Sequence, residues 1–556
     1  MRFARIAFGL LLALVGLLVT AVGGVAAFWL VGPDNTVDTG EQSLASKGLA
    51  VMTAPDLIDR HGPTLHVTAS AARPVFVGIG QDIDVASYLG GSQYTRIMRF
   101  ELPASFDSQE LTGKTAKLSA PTGLDWWTTK ATGAGKQSIA WPIVDGRYDV
   151  VVMNADGSPG VDAKVTFGVE IDGLFGSCLM VFGGGLLVLF IGLLLMFVRR
   201  RYQPLPPVPV VTPLVTAPVM PYSPPVESPR PSSVRRAVGV AAVVLLTATG
   251  CSAVPPKNVN QEVSTKPAVT LADGQAVMSK YAEVSGRANQ ARDDKLVATI
   301  EGGARLEQSR AANFIGSKLD PARKDPVAAD SYDGIEIGAP EFAAYPMKFV
   351  STAKLSTDPE RGELGVWERA SAGSPWLLTH AVFPRIAVNV PTMDGLRMPT
   401  KADMAKLPLL PQAAGANLAK YLSEGPLSKQ AAHFTIPQDV TQLLADDAKD
   451  IQAQVKKDYI STVSNTYRTT GQPTVFIASN GTALVFLNLT EEFVQHVEPG
   501  NYATWTSGAA SAYSKNVKYY QTLRQDFLHE VALVIPPTGK TRVLAIQSQV
   551  VGSGGS

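Results

Sequence analysis

The stretch Thr247-Ala248-Thr249-Gly250-Cys251 is where this chain comes nearest to a chemical motif. Small residues just before a cysteine leave an unhindered peptide bond for a lipoprotein signal peptidase, and the cysteine thiol receives a diacylglycerol. Arg235 and Arg236, followed by a short apolar run, complete an internal signal peptide, although Ala248 stands where Leu is usual. The same run reads equally as a third transmembrane helix reaching Pro256, with Cys251 buried near its outer end. Elsewhere the candidates are sparse. His380, His433 and Asp333 are the residue types of an Asp–His proton-transfer pair. Nothing in their spacing brings them together, and His380 alternates with Thr379 and Ala381 in a strand-like run. Asp82 and Asp84 could ligate calcium, but no Gly-spaced loop with further carboxylates follows, and a helix N-cap is the simpler use. Trp126-Trp127 with Trp141 offers either a stacking platform for a sugar or ordinary core packing. His61 and His66, five apart in extended chain, face opposite sides and cannot share a metal. No nucleophile–base pair is legible, so the sequence nominates no catalytic, cofactor-binding or metal-ligating residue and implies no enzyme activity.

The elements that must position these residues begin with three apolar runs. Residues 6–31 carry no charge and follow Arg2 and Arg5; residues 174–198 carry none and precede Arg199-Arg200-Arg201; residues 237–251 follow Arg230, Arg235 and Arg236. Lys and Arg resist translocation, so this pattern orients the chain: N-terminus in, 32–173 out, 199–236 in, 252–556 out. The first two runs are long enough to cross about 30 Å of hydrocarbon, and the first exceeds the h-region of a cleavable signal peptide. Gly16, Thr20 and Gly24, spaced i, i+4, i+8, offer a stripe for close packing of a second membrane helix. Between the second and third runs, residues 202–231 hold eleven prolines, which exclude helix and sheet and predict an extended tether.

The overall charge of +1 hides a segregation. Residues 32–173 carry 11 Lys/Arg against 17 Asp/Glu, and 252–556 carry 30 of each, so the basic excess is juxtamembrane. This suits an anionic leaflet and excludes nucleic acid as a partner. The two cysteines both lie in apolar runs, so neither outer part holds an internal disulfide and each must rest on a packed core. Residues 32–173 read as short strands with Gly/Pro turns, an all-β, antiparallel sandwich, including a hairpin across residues 154–160 and one short helix at 82–89. In 252–556, helical spacing over 275–314, with Met278, Tyr281, Val284 and Ala288 on one face, precedes strands at 347–355, 363–370 and 376–383. The order recurs: helices at 417–422 and 440–459, then strands at 474–479, 482–489, 527–535 and 541–550. Asn480-Gly481 predicts a type I′ hairpin turn, and Pro536-Pro537-Thr538-Gly539 a further hairpin.

Two resemblances follow from these residues. Gly78-Ile79-Gly80, Asp84-Val85, Tyr88-Leu89, Trp141 and the run from Val150 to Ser158 resemble the ectodomain of a family of actinobacterial membrane proteins of no established activity. The later region, with Ala298–Ala304, Gln308-Ser309-Arg310, Val366-Trp367-Glu368-Arg369 and Ala483-Leu484-Val485-Phe486, resembles an uncharacterised actinobacterial lipoprotein family. Its helix-then-antiparallel-sheet units are similar in outline to the cone of nuclear-transport-factor-2-like domains. The expected architecture is a membrane-anchored multidomain chain with two or three transmembrane helices. It comprises transmembrane helix 1–31, β-sandwich 32–173, transmembrane helix 174–198, cytoplasmic linker 199–236, signal or third helix 237–256, and α+β domains 257–400 and 401–556. The expected function is non-enzymatic: a plasma-membrane, cell-envelope protein whose extracytoplasmic domains bind or scaffold, with membrane lipids and other envelope proteins as partners. The alternative is an enzyme or small-ligand binder using a pocket in the C-terminal cones.

Overall fold

The structure, a computed structural model, describes residues 2–57, 62–101, 105–197, 264–323 and 330–556. The linker, the third apolar run, Cys251 and His61 lie outside the described residues. The chain forms two compact units: residues 1–33 with 173–263, and residues 34–172 with 264–556.

The first unit is a helix pair. Arg2–Val25 continues as a π-helical turn, Ala26–Val31, and Leu174–Phe197 runs antiparallel to it. Both are long and apolar enough to cross a membrane, with mean hydropathies of 2.6 and 2.7. They touch backbone to backbone where side chains are smallest. A Cβ on Gly16 would stand 2.3 Å from the Leu189 nitrogen, and one on Gly192 2.5 Å from the Ala13 nitrogen. The Thr20 hydroxyl turns back to donate to Gly16 O at 2.7 Å, which hides its polarity within the helix. The seam continues through Gly23, whose Cβ would lie 2.6 Å from the Phe182 nitrogen, while Gly24 faces the Phe182 ring at 3.2 Å. A spacing that alternates four and three stays on the contact line of two crossing helices; the uniform i, i+4, i+8 stripe drifts off it by its third member.

In the second unit, residues 34–172 form two sheets on one core. One sheet runs Thr36–Asp38, Val161–Glu170, Thr64–Ala71, Gln137–Pro142, with Gln42–Ser46 also pairing with Val161–Glu170. The other runs Ser105–Leu111, Tyr94–Glu101, Ala50–Thr53, Tyr148–Asn154, Val75–Gln81, Thr129–Gly133. Leu65, Val67 and Val165 from the first sheet share a core with Val77, Ile79 and Val151 from the second. Two expectations need correction. Ala50–Thr53 and Tyr94–Glu101 pair in parallel, so the sheets are not wholly antiparallel. Residues 154–160 join strands of different sheets and form no hairpin. Asn154 Nδ2 instead donates to carbonyls of that loop, at Ser158 and Gly160, and holds it as a bridge between layers.

Residues 264–556 follow the expected order of helices then sheet, twice. Leu271–Ala291, capped by Thr270, buries Met278, Tyr281, Val284 and Ala288 against the sheet Tyr332–Gly338, Met347–Leu355, Gly362–Arg369, Leu377–Val382. The second sheet runs Phe434–Thr435, Thr541–Gly555, Thr522–Ile535, Ala483–Val497, Ile460–Ile477. Its helical cover includes Pro411–Glu424 and Gln438–Val455. The side-chain period of two sorts the layers. Val485 and Leu487 face the helices, whereas Leu484 and Phe486 meet Val350, Leu364 and Val366 of the first sheet. The two sheets therefore pack on each other, with helices outside. The Asn480-Gly481 hairpin is not type I′. Only Gly481 has a positive φ (+79°), Gly481 N donates to Ala478 O, and Ala478 N to Thr482 O, the pattern of a five-residue turn closed by a glycine bulge.

Candidate functional site

Within the second unit, the sandwich and the later region meet at a polar junction. It is organised by the short helix Asp82–Tyr88, which starts after extended Gln81 and has Asp82 and Asp84 in its first turn. Neither aspartate is the N-cap, and Asp84 has a different use. Its side chain is 1% exposed, Lys266 Nζ donates to Oδ2 at 2.6 Å, and Tyr345 OH donates to Oδ1 at 2.8 Å. Both partners come from beyond residue 264. A buried carboxylate stripped of such partners would be an uncompensated charge, a loss of about 3–5 kcal/mol. Close by, Ala372 is fully buried. Its nitrogen donates to Ser87 Oγ at 3.1 Å, and its oxygen accepts from Trp126 Nε1 at 2.9 Å. Arg369 Nη2 reaches the same oxygen and Asp125 Oδ1, each at 2.9 Å. Room for the Trp126 and Trp127 rings comes from Gly78 and Gly80: a Cβ there would stand 2.9 Å from Trp127 and 2.7 Å from Trp126. The Trp pair is thus used in packing, with Trp127 and Trp141 in the core and Trp126 at the junction.

A second cluster lies inside residues 264–556. Tyr281 OH donates to Glu301 Oε1 at 2.6 Å, and Arg305 Nε stands 3.5 Å from the same oxygen. Tyr332 OH donates to Glu363 Oε2 at 2.9 Å. Glu530, on the second sheet, is 3.9 Å from His380 Nδ1 on the first. Burial pushes the Glu530 carboxyl up to about 8 and that of Glu363 up to about 7, each partly offset by Arg305. Burial also pulls His380 down to about 3. At neutral pH the cluster therefore holds a largely protonated Glu530, a Glu363 near its midpoint and a neutral His380 imidazole. Glu530 makes no hydrogen bond of normal geometry, and one oxygen each of Glu301 and Glu363 is likewise unpaired. An arrangement so poorly satisfied is costly, and is the kind of local conflict that marks a functional place.

Beside it is a cavity of about 490 Å³ between the sheets, lined by Val366, Leu377, His380, Phe486, Asn488 and Lys348 among others. Lys348 is paired with Glu368 at 2.9 Å, so no free charge faces the space. His380 Nε2 and Asn488 Oδ1 have no partner, yet both are closed off from solvent. The histidine thus forms part of the wall without presenting a contact atom. On the other face of the second sheet, His529 stands 2.9 Å from Glu491 and 2.7 Å from Ser548 Oγ across three neighbouring strands. This Ser–His–Glu set is packed against the Tyr467 and Phe527 rings, and none of its members lines that cavity.

The other residues nominated from sequence are dispersed. His433 ends a 3-10 turn and is exposed, Asp333 is exposed on the edge strand Tyr332–Gly338, and neither approaches His380. His66 pairs with Glu170 at 2.7 Å across neighbouring strands. Among the described residues no group of three or more His, Cys, Asp or Glu side chains is arranged to hold a metal. Sequence reasoning missed Asp84 as an anchor, Ala372, and the whole Glu301–Arg305–Glu363–Glu530 cluster. Only the Glu–x–x–x–Arg spacing of Glu301 and Arg305 on one helix approach could have hinted at it. A comparison with curated proteins finds no match, nor does one with solved structures. One family model does match, over residues 265–555, which is more than half of the 556. Its span begins just before Lys266 and takes in both sheets and the buried acid cluster, so the chain belongs to the family described as a domain of unknown function, DUF8094.

Proposed function

We propose that this is a membrane-anchored cell-envelope protein without enzyme activity, whose two folded parts stand together on the outer face and serve binding or scaffolding. The observation that carries this reading is the junction. Residues 34–172 and 264–556 pack as one unit, although the apolar helix Leu174–Phe197 lies between them in sequence. If that helix crosses the bilayer, the chain must cross back before residue 264, and the run at 237–256 is the segment available for it, as a lipoprotein-type signal ending at Cys251 or as a third helix. The exposure of large apolar side chains along the paired helices, such as Leu18 at 65% and Phe190 at 61%, supports lipid as their surroundings. The Arg pattern then puts both folded parts outside. The helices-then-sheet order of each half supports the likeness in outline to nuclear-transport-factor-2-like cones, and the residue stretches quoted above support the likeness to the actinobacterial lipoprotein family. The cavity beside His380 favours small-ligand binding as a second reading.

The test is sidedness. Single cysteines at Ser43, which is exposed, and at Ser285 are expected to react with an impermeant reagent on intact cells, and one at Ser223 only after lysis. Labelling of Ser223 from outside, or protection of Ser285, would sink the scheme.

A further inference from the structure

We propose that the junction is a self-sufficient recognition surface: the 34–172 part binds the 264–556 part without help from the chain joining them. The protein would then persist as a two-part complex when that chain is cut. This rests on the reading that both parts share one side of the membrane. The geometry is that of an interface built for recognition. Asp84 takes a partner on each carboxylate oxygen, and both partners, Lys266 and Tyr345, belong to the other part. Ala372 is gripped from both sides of its peptide, by Ser87 and by Trp126. Arg369 is 8% exposed and pairs outward with Asp125. Tyr345 packs into the cores of both parts, and Ile83 from the sandwich packs into that of the later region. Buried Tyr, Trp and Arg anchors with satisfied polar atoms are what dominate binding energy between separate proteins. Contacts made only because a tether holds two domains near each other are smaller, wetter and less selective.

A tether also contributes little by itself. A long flexible linker supplies an effective concentration in the millimolar range or below, so a junction that depended on it would dissociate in dilute solution once severed. A junction with desolvated charge pairs would not. The consequence bears on Cys251: a cut before it would leave 251–556 as a chain of its own, and the Asp84–Lys266 hook would keep it on the sandwich.

The experiment places a site-specific protease sequence after Ser223 in the full chain, carrying a C-terminal tag and purified in detergent. After complete cutting at submicromolar concentration, the N-terminal fragment is expected to stay with the tagged fragment through capture and gel filtration. Separation of the fragments, while the uncut protein still melts cooperatively, would overturn the proposal. In the Asp84→Ala, Arg369→Ala double variant the fragments should part at least tenfold faster. Because that variant could misfold, Lys266→Met is run beside it: it removes one hook from a more exposed position and should also speed release. Retention unchanged in both variants would equally overturn the proposal, since the contact would then lie elsewhere. Carried out in detergent, the assay is blind to sidedness, so its failure and a failure of the topology reading are separable.

Discussion

At the scale of single residues, position relative to distant chain decides more than residue type. Asp84 looks like a helix-start acid, and its dipole argument is sound, yet its carboxylate is consumed by Lys266, 182 residues away. No local reading reaches such a partner. Glu530 sits between His529 and Val531 in a strand and reads as an outward-facing charge, but it is fully buried between two sheets. Turn chemistry is more local and more legible. Gly481 has φ +79°, a region a β-branched residue enters only with strain, while Asn480 keeps an ordinary conformation and its Oδ1 accepts from Thr482 N. Gly481→Val should therefore lower stability by about 1–3 kcal/mol, whereas Asn480→Ala should cost much less. A urea series on the pair checks this; equal midpoints for the two variants would show that the glycine bulge does not carry the turn.

At the scale of elements, what was legible was what alternates. The stripe Met278, Tyr281, Val284, Ala288 gives its helix, and Met347–Leu355 is a strand with the bounds expected of it. The strands of the second sheet were read too short. Ile460–Ile477 extends well before its apolar part through exposed Thr462, Ser464, Thr469 and Thr470, and Ala483–Val497 runs on past its apolar part through exposed Thr490 and His496. An exposed half-strand keeps backbone pairing while losing the apolar signal. The edge strand Tyr332–Gly338 was missed for the same reason. In the helix pair, small residues were legible as a class, but the choice of Gly23 over Gly24 depends on the crossing, which one helix alone does not encode. Gly16→Leu is the decisive substitution, because even its Cβ would meet backbone that cannot retreat, at 2.3 Å from Leu189 N. It should weaken the pairing by roughly 1 kcal/mol or more. Gly24→Leu meets only a ring and should be milder. Disulfide yield between cysteines placed at Phe28 and Phe175, in a background lacking Cys178 and Cys251, reports the difference; identical yields in both variants would remove the seam from the argument.

At the scale of the whole molecule, the layers helix, sheet, sheet, helix enclose the poorly satisfied acid cluster within residues 264–556, with Glu530 and His380 at the seam between the sheets and Glu363 on the helix side of the first. Its titration should therefore appear in global stability. Glu530 has a folded value of about 8 against an ordinary 4.5, and Glu363 about 7. A carboxyl raised on folding contributes stability that is fully present below about 4.5 and is lost as pH rises through its folded value. His380 works in the opposite sense: lowered to about 3 from 6.5, it contributes stability present above about 6.5 and lost as pH falls through about 3. The groups facing Glu530 are Arg305, Glu301, Glu363 and His380, and the single guanidinium can offset only part of three carboxylates. Between 4.5 and 6.5 two acids oppose one imidazole, and above 6.5 the acids act alone. The cluster's contribution should thus be largest near pH 4.5 and fall continuously toward pH 8. Asp149, pushed well up by its own burial, adds to the same slope from the sandwich. The urea midpoint of the intact protein is expected to be lower at about pH 8 than at about pH 5, by an amount worth a few kcal/mol. Glu530→Gln, which cannot ionise, should flatten much of that fall while leaving the midpoint at pH 5 nearly unchanged. A midpoint that rises with pH, or a slope that the substitution does not alter, would mean that the two sheets separate without exposing this cluster.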